Sequence, residues 1–227
     1  MKSTLIYICS LLLCISGLQL SCTAQTSPRQ WNIADEIGDG WSTERPAAVD
    51  IREDSIHALL DLINATPPRD FRALVVVRNG QLVVDEYFNS FWRTNIHDIR
   101  SAGKSVTSML AGVAIQRGLF KTSDPVAKFF PEHADKAFAK STMTVENLLT
   151  MSSGLASDDY VDDSPGAEGN MLMADNFLEF CLNLPMDFEP GSRYAYSSVV
   201  AFLLGVIIER QSGQKLEDFA KANLFGP

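Results

Sequence analysis

Histidine is scarce: three residues, His57, His97 and His133, lie far apart along 227 positions. Cysteine is little more common, and Cys9, Cys14 and Cys22 crowd the N-terminal end, leaving only Cys181 beyond it. There is no Cys-x-x-Cys and no His-Glu-x-x-His. These absences argue against a structural zinc site or a helix-borne metalloprotease centre, and no metal or other cofactor is indicated. Basic residues are also short, with 19 Lys and Arg against 28 Asp and Glu, a net charge of −9 and a pI near 4.8. Nucleic-acid binding needs basic patches, so that partner class is excluded. Past the N-terminus no apolar run is long enough to span a bilayer, so no transmembrane helix is expected in the mature chain. Repeats and low-complexity tracts are missing, which argues against a solenoid or a disordered chain. What remains is 46% hydrophobic and 21% charged, an ordinary globular composition.

The N-terminus has its own pattern. Lys2 precedes an apolar stretch from Leu5 to Leu20, broken by Ser10, Ser16, Gly17 and Gln19. That is the layout of a secretory signal, with cleavage after Ala24 leaving 227 − 24 = 203 residues. Residues 1–24 are therefore read as a signal peptide and the protein as exported, periplasmic or extracellular. Lipid attachment at Cys22 is the other reading, weakened because Gln19 stands where such signals usually carry Leu. Residues 25–48, with Pro28, Gly38, Gly40 and Pro46, read as a linker or N-terminal arm. Residues 49–227 read as the folded part.

Within that part, Ile56, Leu59, Leu60 and Ile63 follow helical spacing over 52–65, ended by Pro67 and Pro68. Residues 71–78 and 81–88 are β-rich and joined by Asn79-Gly80, a two-residue hairpin signal because both residues tolerate positive φ. Residues 101–117 are apolar nearly all round and stop at Gly118, which predicts a helix buried at the centre of the fold. Shorter helices are expected over 145–151, 176–183 and 216–224, and a strongly apolar one over 199–210, stopped at Gly213. Residues 156–170 form an acidic loop carrying Asp158, Asp159, Asp162, Asp163 and Glu168. Its spacing does not follow a calcium loop, and it reads as solvated. The fold class is an α/β mixture.

Ser101-Ala102-Gly103-Lys104 has the spacing Ser-x-x-Lys. On a helix, positions three apart share a face, so the Lys amine can reach the Ser hydroxyl. As a neutral amine it can take the hydroxyl proton. Burial in a central helix and the positive end of the helix dipole both favour that neutral form. The Ser can then attack a carbonyl and form an acyl-enzyme. Ser212-Gly213-Gln214-Lys215 has the same spacing but falls across a helix stop, so it is read as carrying no chemistry. Ala174-Asp175-Asn176 is read as a helix cap.

The segment from His97 to Ser108, containing Ser101 and Lys104, resembles the nucleophile segment of the serine β-lactamase and penicillin-binding-protein superfamily. It looks most like the branch of class C β-lactamases, family VIII-type esterases and 6-aminohexanoate-dimer hydrolases. Val145 to Leu155 resembles that family's "LLT-x-x-SGL" segment. Glu189 to Ser198 resembles its "PG-x-x-F-x-YSN" segment, and 199–209 its "LLG-x-II-E" helix. The four occur in order over residues 71–227.

The resemblance implies a β-lactamase/transpeptidase-like fold, with a central antiparallel sheet flanked by helices plus a helical lobe. It implies Ser101 as nucleophile, Lys104 as its partner and Tyr196 as the tyrosine relaying protons to the leaving group. Tyr194 competes for that place two residues earlier, but "YSN" aligns with Tyr196. Ser198 stands where the family has Asn. It is expected either to contact substrate or to cap the following helix, and with Met151 in place of His it points away from a dedicated β-lactamase. Tyr160 is expected to overhang the substrate. The third family motif, a strand whose backbone N–H completes the oxyanion hole, has no match after Tyr196. The chain therefore reads as a C-terminally truncated member, and 25–227 alone is expected to hydrolyse little. The expected function is serine hydrolysis of a small ester or amide. A D,D-peptidase or β-lactamase is the in-class alternative, and a non-catalytic binding or sensor protein the out-of-class one.

Overall fold

The computed structural model describes residues 37–67 and 70–226. The leader read over residues 1–24, with Cys22 and Ala24, lies outside the described residues, as does the first part of the arm. The chain divides into two compact units, one ending at Ile96 and the other spanning His97–Pro227.

The first unit holds strand β1 (Ser42–Thr43), helix α1 (Glu53–Ala65) and the hairpin β2 (Ala73–Arg78) and β3 (Gln81–Tyr87). Asn79 and Gly80 sit at φ 52° and 77°, the two left-handed positions of the predicted turn. The β2–β3 pairing is antiparallel, with a register shift between Val76 and Val77. β1 joins the other edge of β3 in parallel, giving the order β1-β3-β2 and adding a short parallel pair to the expected antiparallel hairpin. Two residues are too short a run for periodicity to reveal. The α1 stripe Ile56, Leu60 and Ile63 packs with Val83, Val84 and Phe88 into one core.

The second unit is helical. α2 (Ala102–Gln116), α3 (Val145–Leu149), α4 (Glu168–Leu172), α5 (Phe177–Leu182), α6 (Ser198–Ser212) and α7 (Leu216–Ala220) are joined by short 3-10 turns and loops. Its core gathers Leu110, Phe130, Phe138, Leu148, Leu203 and Ile207 with their neighbours. Residues 199–200, 203–205 and 207–208 are all buried, so the middle of the unit is α6. α2 buries only Leu110, Ala111 and Ala114, while Ser101, Ala102, Ser105, Ser108 and Met109 are exposed. The expectation of a centrally buried helix at 101–117 therefore fails for its first half. An apolar sequence states what a helix can bury, whereas the neighbours decide which faces are covered.

Local chemistry sets the ends. Thr144 and Asn147 form a reciprocal capping box at α3. Asn176 caps α5 by accepting from the Glu179 N–H at 3.1 Å, in line with the cap expected there. Gly118 and Gly213 adopt φ 74° and 67° and stop α2 and α6. At the far end of α6, Arg210 donates to the Phe129 carbonyl at 2.7 Å and pairs with Glu132 at 2.6 Å.

Candidate active site

Ser101 precedes the first residue of α2 and has helical backbone angles. Its hydroxyl makes no capping bond to the helix, which leaves Oγ for another partner. That partner is Lys104, whose Nζ donates to Ser101 Oγ at 3.3 Å across one helical turn. Arg100, just before, is held at φ 49°, and its N–H donates to Asp98 Oδ1 at 2.8 Å. A left-handed, non-glycine residue costs about 1–3 kcal/mol and must be held by its surroundings. Here it forms the corner from which α2 departs.

Lys104 has a second neighbour. Its Nζ lies 5.0 Å from the centroid of the Tyr196 ring. One amine thus faces both the Ser101 hydroxyl and the Tyr196 π face, a cation–π distance. Tyr196 in turn stacks on Tyr160, with centroids 5.0 Å apart and planes 22° from parallel. Tyr160 is 78% exposed, and its ring covers one face of Tyr196. Tyr194, the competing tyrosine, is exposed. Lys104 is half-buried and Ser101 exposed, so the desolvation expected of a central helix is not met at this pair.

At the start of α6 the cap falls on Ser197, one residue before Ser198, where a cap or a substrate contact was expected. Ser197 is the cap, its Oγ accepting from the Val200 N–H at 3.4 Å. Ser198 is the first helical residue and is buried, with its hydroxyl directed at Asp159 Oδ2 (2.7 Å) and Glu168 Oε1 (3.1 Å). Two adjacent serines satisfy the same capping preference, so one-residue placement was beyond sequence reasoning. Ser198 still lines a cavity of about 390 Å³ between α2 and α6, together with Lys104, Gly103, Thr107, Glu168 and Phe202.

Asp159 escaped the sequence reading. It lies in the loop taken to be solvated, yet Oδ2 accepts from both the N–H and the hydroxyl of Ser198, each at 2.7 Å. Oδ1 accepts from the Glu168 N–H at 2.9 Å, and the Asp159 N–H donates to the Tyr196 carbonyl at 2.7 Å. Ser157, in the same loop, bonds to Ser197 Oγ at 2.6 Å and donates to the Gly166 carbonyl at 2.7 Å. No periodic or motif signal foretells contacts that span 39 residues.

Cys181 offers no rival nucleophile. It is fully buried against the core, and burial pushes its thiol up to about 12. Among the described residues, no group of three or more His, Cys, Asp or Glu is placed to hold a metal ion. Among them, too, no helix is long and apolar enough to cross a membrane.

A protein of Escherichia coli K12, provisionally named a D-alanyl-D-alanine carboxypeptidase, is 24% identical over an alignment that covers all of this chain and 54% of that protein. A Bacillus anthracis structure, provisionally titled a 6-aminohexanoate-dimer hydrolase, superposes with a TM-score of 0.55 at 22% identity, covering 70% of this chain and 43% of that one. An octameric penicillin-binding protein homologue from Pyrococcus abyssi superposes with a TM-score of 0.58 at 24% identity, covering 76% and 42%. The chain thus spans about half the length of these relatives. The fold is β-lactamase/transpeptidase-like, with helices and a small open sheet. The Beta-lactamase family profile matches residues 72–227, most of the chain, and the chain belongs to that family.

Proposed function

We propose that this chain carries the nucleophile and acid/base groups of a serine hydrolase that cleaves a small ester or amide through an acyl-Ser101 intermediate. The observation that carries the reading is the position of Lys104 Nζ, 3.3 Å from Ser101 Oγ and 5.0 Å from the Tyr196 ring. In the reaction, Ser101 Oγ attacks the substrate carbonyl carbon as its proton passes to Lys104 Nζ. Tyr196 relays a proton to the leaving alkoxide or amine, and the C–O or C–N bond breaks. Water then attacks the acyl-Ser101 carbonyl and gives a proton to the same groups, the acyl C–Oγ bond breaks, Ser101 Oγ takes the proton back, and the carboxylic acid leaves. Ser198 is assigned to substrate binding from the cavity it lines with Lys104, and Tyr160 to a substrate contact beside Tyr196.

The family's oxyanion partner is assigned to residues beyond 25–227. Support comes from the described residues, where no strand follows Tyr196, and from the half-length overlap with relatives. Purified 25–227 is therefore expected to hydrolyse little, and robust turnover by it would remove this part of the reading. Export rests on the leader pattern of 1–24 and is tested by the N-terminal mass of the protein recovered from cells. Cleavage after Ala24 and lipidation at Cys22 give different masses.

The decisive experiment treats the complete protein with a fluorophosphonate and with a labelled penicillin. Covalent labelling that disappears in Ser101→Ala is expected. No adduct, or an adduct surviving that substitution, would overturn the hydrolase reading in favour of a binding or sensor role. The whole-chain alignment with the E. coli protein favours one second reading, D,D-peptidase or β-lactamase chemistry. Penicillin labelling with turnover supports it, whereas hydrolysis of short acyl esters without penicillin turnover supports the esterase.

A further inference from the structure

We infer that Asp159 is the positioning residue for Tyr196, its carboxylate fixing the start of α6 so that the tyrosine ring is held against Lys104. The inference rests on the hydrolase reading above for its kinetic consequence, but the geometry stands by itself.

Asp159 ties down the chain at Tyr196 and just after it. Its backbone N–H holds the Tyr196 carbonyl at 2.7 Å, and its Oδ2 holds the N–H and hydroxyl of Ser198, two residues on, at 2.7 Å each. Oδ1 takes the Glu168 N–H at 2.9 Å, so the carboxylate is itself oriented by a third bond. Bonds to an ionised acceptor are roughly twice as strong as neutral ones. A loop carboxylate set against the N-terminal N–H of the 15-residue α6 is also favoured by the helix dipole. The residue after Asp159 is Tyr160, whose ring stacks on Tyr196 at 5.0 Å. One dipeptide of the loop therefore fixes both the backbone and the ring face of Tyr196.

The Ser198 hydroxyl makes the carboxylate hard to replace. It has one proton and two carboxylate oxygens within reach, Asp159 Oδ2 at 2.7 Å and Glu168 Oε1 at 3.1 Å. Without Asp159, the hydroxyl turns to Glu168 and the Ser198 N–H loses its acceptor. The start of α6 is then free to shift, and Tyr196 with it. Asparagine can supply a single carbonyl oxygen, so Asp159→Asn keeps the Ser198 bonds or the Glu168 bond but not both.

The test uses the complete protein, its rate of fluorophosphonate labelling at Ser101, and the near-ultraviolet circular dichroism of its tyrosines. Asp159→Ala is expected to slow labelling by about 10²-fold, the usual consequence of a misplacement near 1 Å, and to change the tyrosine signal. Asp124→Ala is the matched control, because Asp124 is another loop carboxylate that accepts a backbone N–H, from Lys121 at 2.9 Å. It is expected to lower the melting temperature while leaving labelling within about twofold of wild type. If Asp159→Ala labels as fast as that control, Asp159 is only a structural clip and the proposal falls. Should Asp159→Ala fail to fold, Asp159→Asn decides by the same two readouts, with an intermediate loss supporting the proposal and none overturning it. If the wild-type protein is not labelled at Ser101, the hydrolase reading fails instead. The dichroism then decides: a tyrosine signal unchanged in the Asp159 variants overturns the positioning role, and a lost one supports it.

Discussion

Ser101 and Lys104 stand three residues apart, as do Ser212 and Lys215, yet the two pairs share nothing beyond spacing. Ser101 leads directly into α2, so its partner lies one turn along a continuous helix and the groups meet at 3.3 Å. Ser212 is the last residue of α6, and Gly213 at φ 67° ends that helix before Lys215 caps the next. The hydroxyl of Ser212 instead donates to the Glu209 carbonyl at 3.4 Å. A short motif therefore carries chemistry only where the backbone between its members keeps them on one face. The two pairs are matched in composition, and each can be altered in parallel.

The largest expected difference lies in the hydroxyls. Ser101→Ala should abolish covalent labelling of the complete protein by a fluorophosphonate, whereas Ser212→Ala should leave it unchanged. Intact-protein mass spectrometry reads both. Next come the amines. Removing a positioned acid/base group typically costs about 10²–10⁴-fold, so Lys104→Ala should slow ester hydrolysis by that much and Lys215→Ala by nothing measurable. If both Lys substitutions slowed the reaction equally, the contrast between the pairs would be lost.

A third prediction concerns the backbone supporting each pair. Gly154 sits at φ 82° in the turn after α3, where a Cβ would overlap the Phe188 carbonyl oxygen and the Met186 methyl. That turn also delivers the chain to the active-site edge, with the Ala195 N–H donating to the Met151 carbonyl at 2.8 Å. Gly154→Ala combines a left-handed strain with overpacking and should cost about 3 kcal/mol or more. At about 2–4 °C per kcal/mol, thermal unfolding should shift down by roughly 10 °C.

Much of this contrast was legible in the residues, and the limits are physical. The Asn79-Gly80 hairpin and the glycine stops at 118 and 213 were readable because each depends on the conformational freedom of one or two residues. The Ser101–Lys104 pair was readable because helical spacing is local. Tyr196 needed the ordered family segments, since nothing local separates it from Tyr194. The shallow burial of α2 was not readable, because coverage is decided by α6 and the other helices of its unit. Asp159 was hidden for the same reason: an acidic loop looks solvated until the start of α6 is placed beside it. The cap moved from Ser198 to Ser197 because two like residues compete for one position.

The smallest effect belongs to the region without chemistry, and it sharpens the contrast most. Gly213 adopts φ 67°, and its N–H donates to the Glu209 carbonyl at 2.9 Å, closing α6. A Cβ built there meets nothing within 4 Å, so alanine would pay only for the left-handed backbone, about 1 kcal/mol. The expected shift in thermal unfolding is a fall of roughly 2–4 °C, read by calorimetry. Labelling at Ser101 should not change, because the Ser212 hydroxyl and the Gly213 N–H donate to the Glu209 carbonyl and not to Ser101 or Lys104. A slowed labelling rate in Gly213→Ala would show that the end of α6 is coupled to its start, where Ser198 and Asp159 meet. The Ser212–Lys215 segment would then act on the Ser101–Lys104 pair through α6 rather than stand as a chance match.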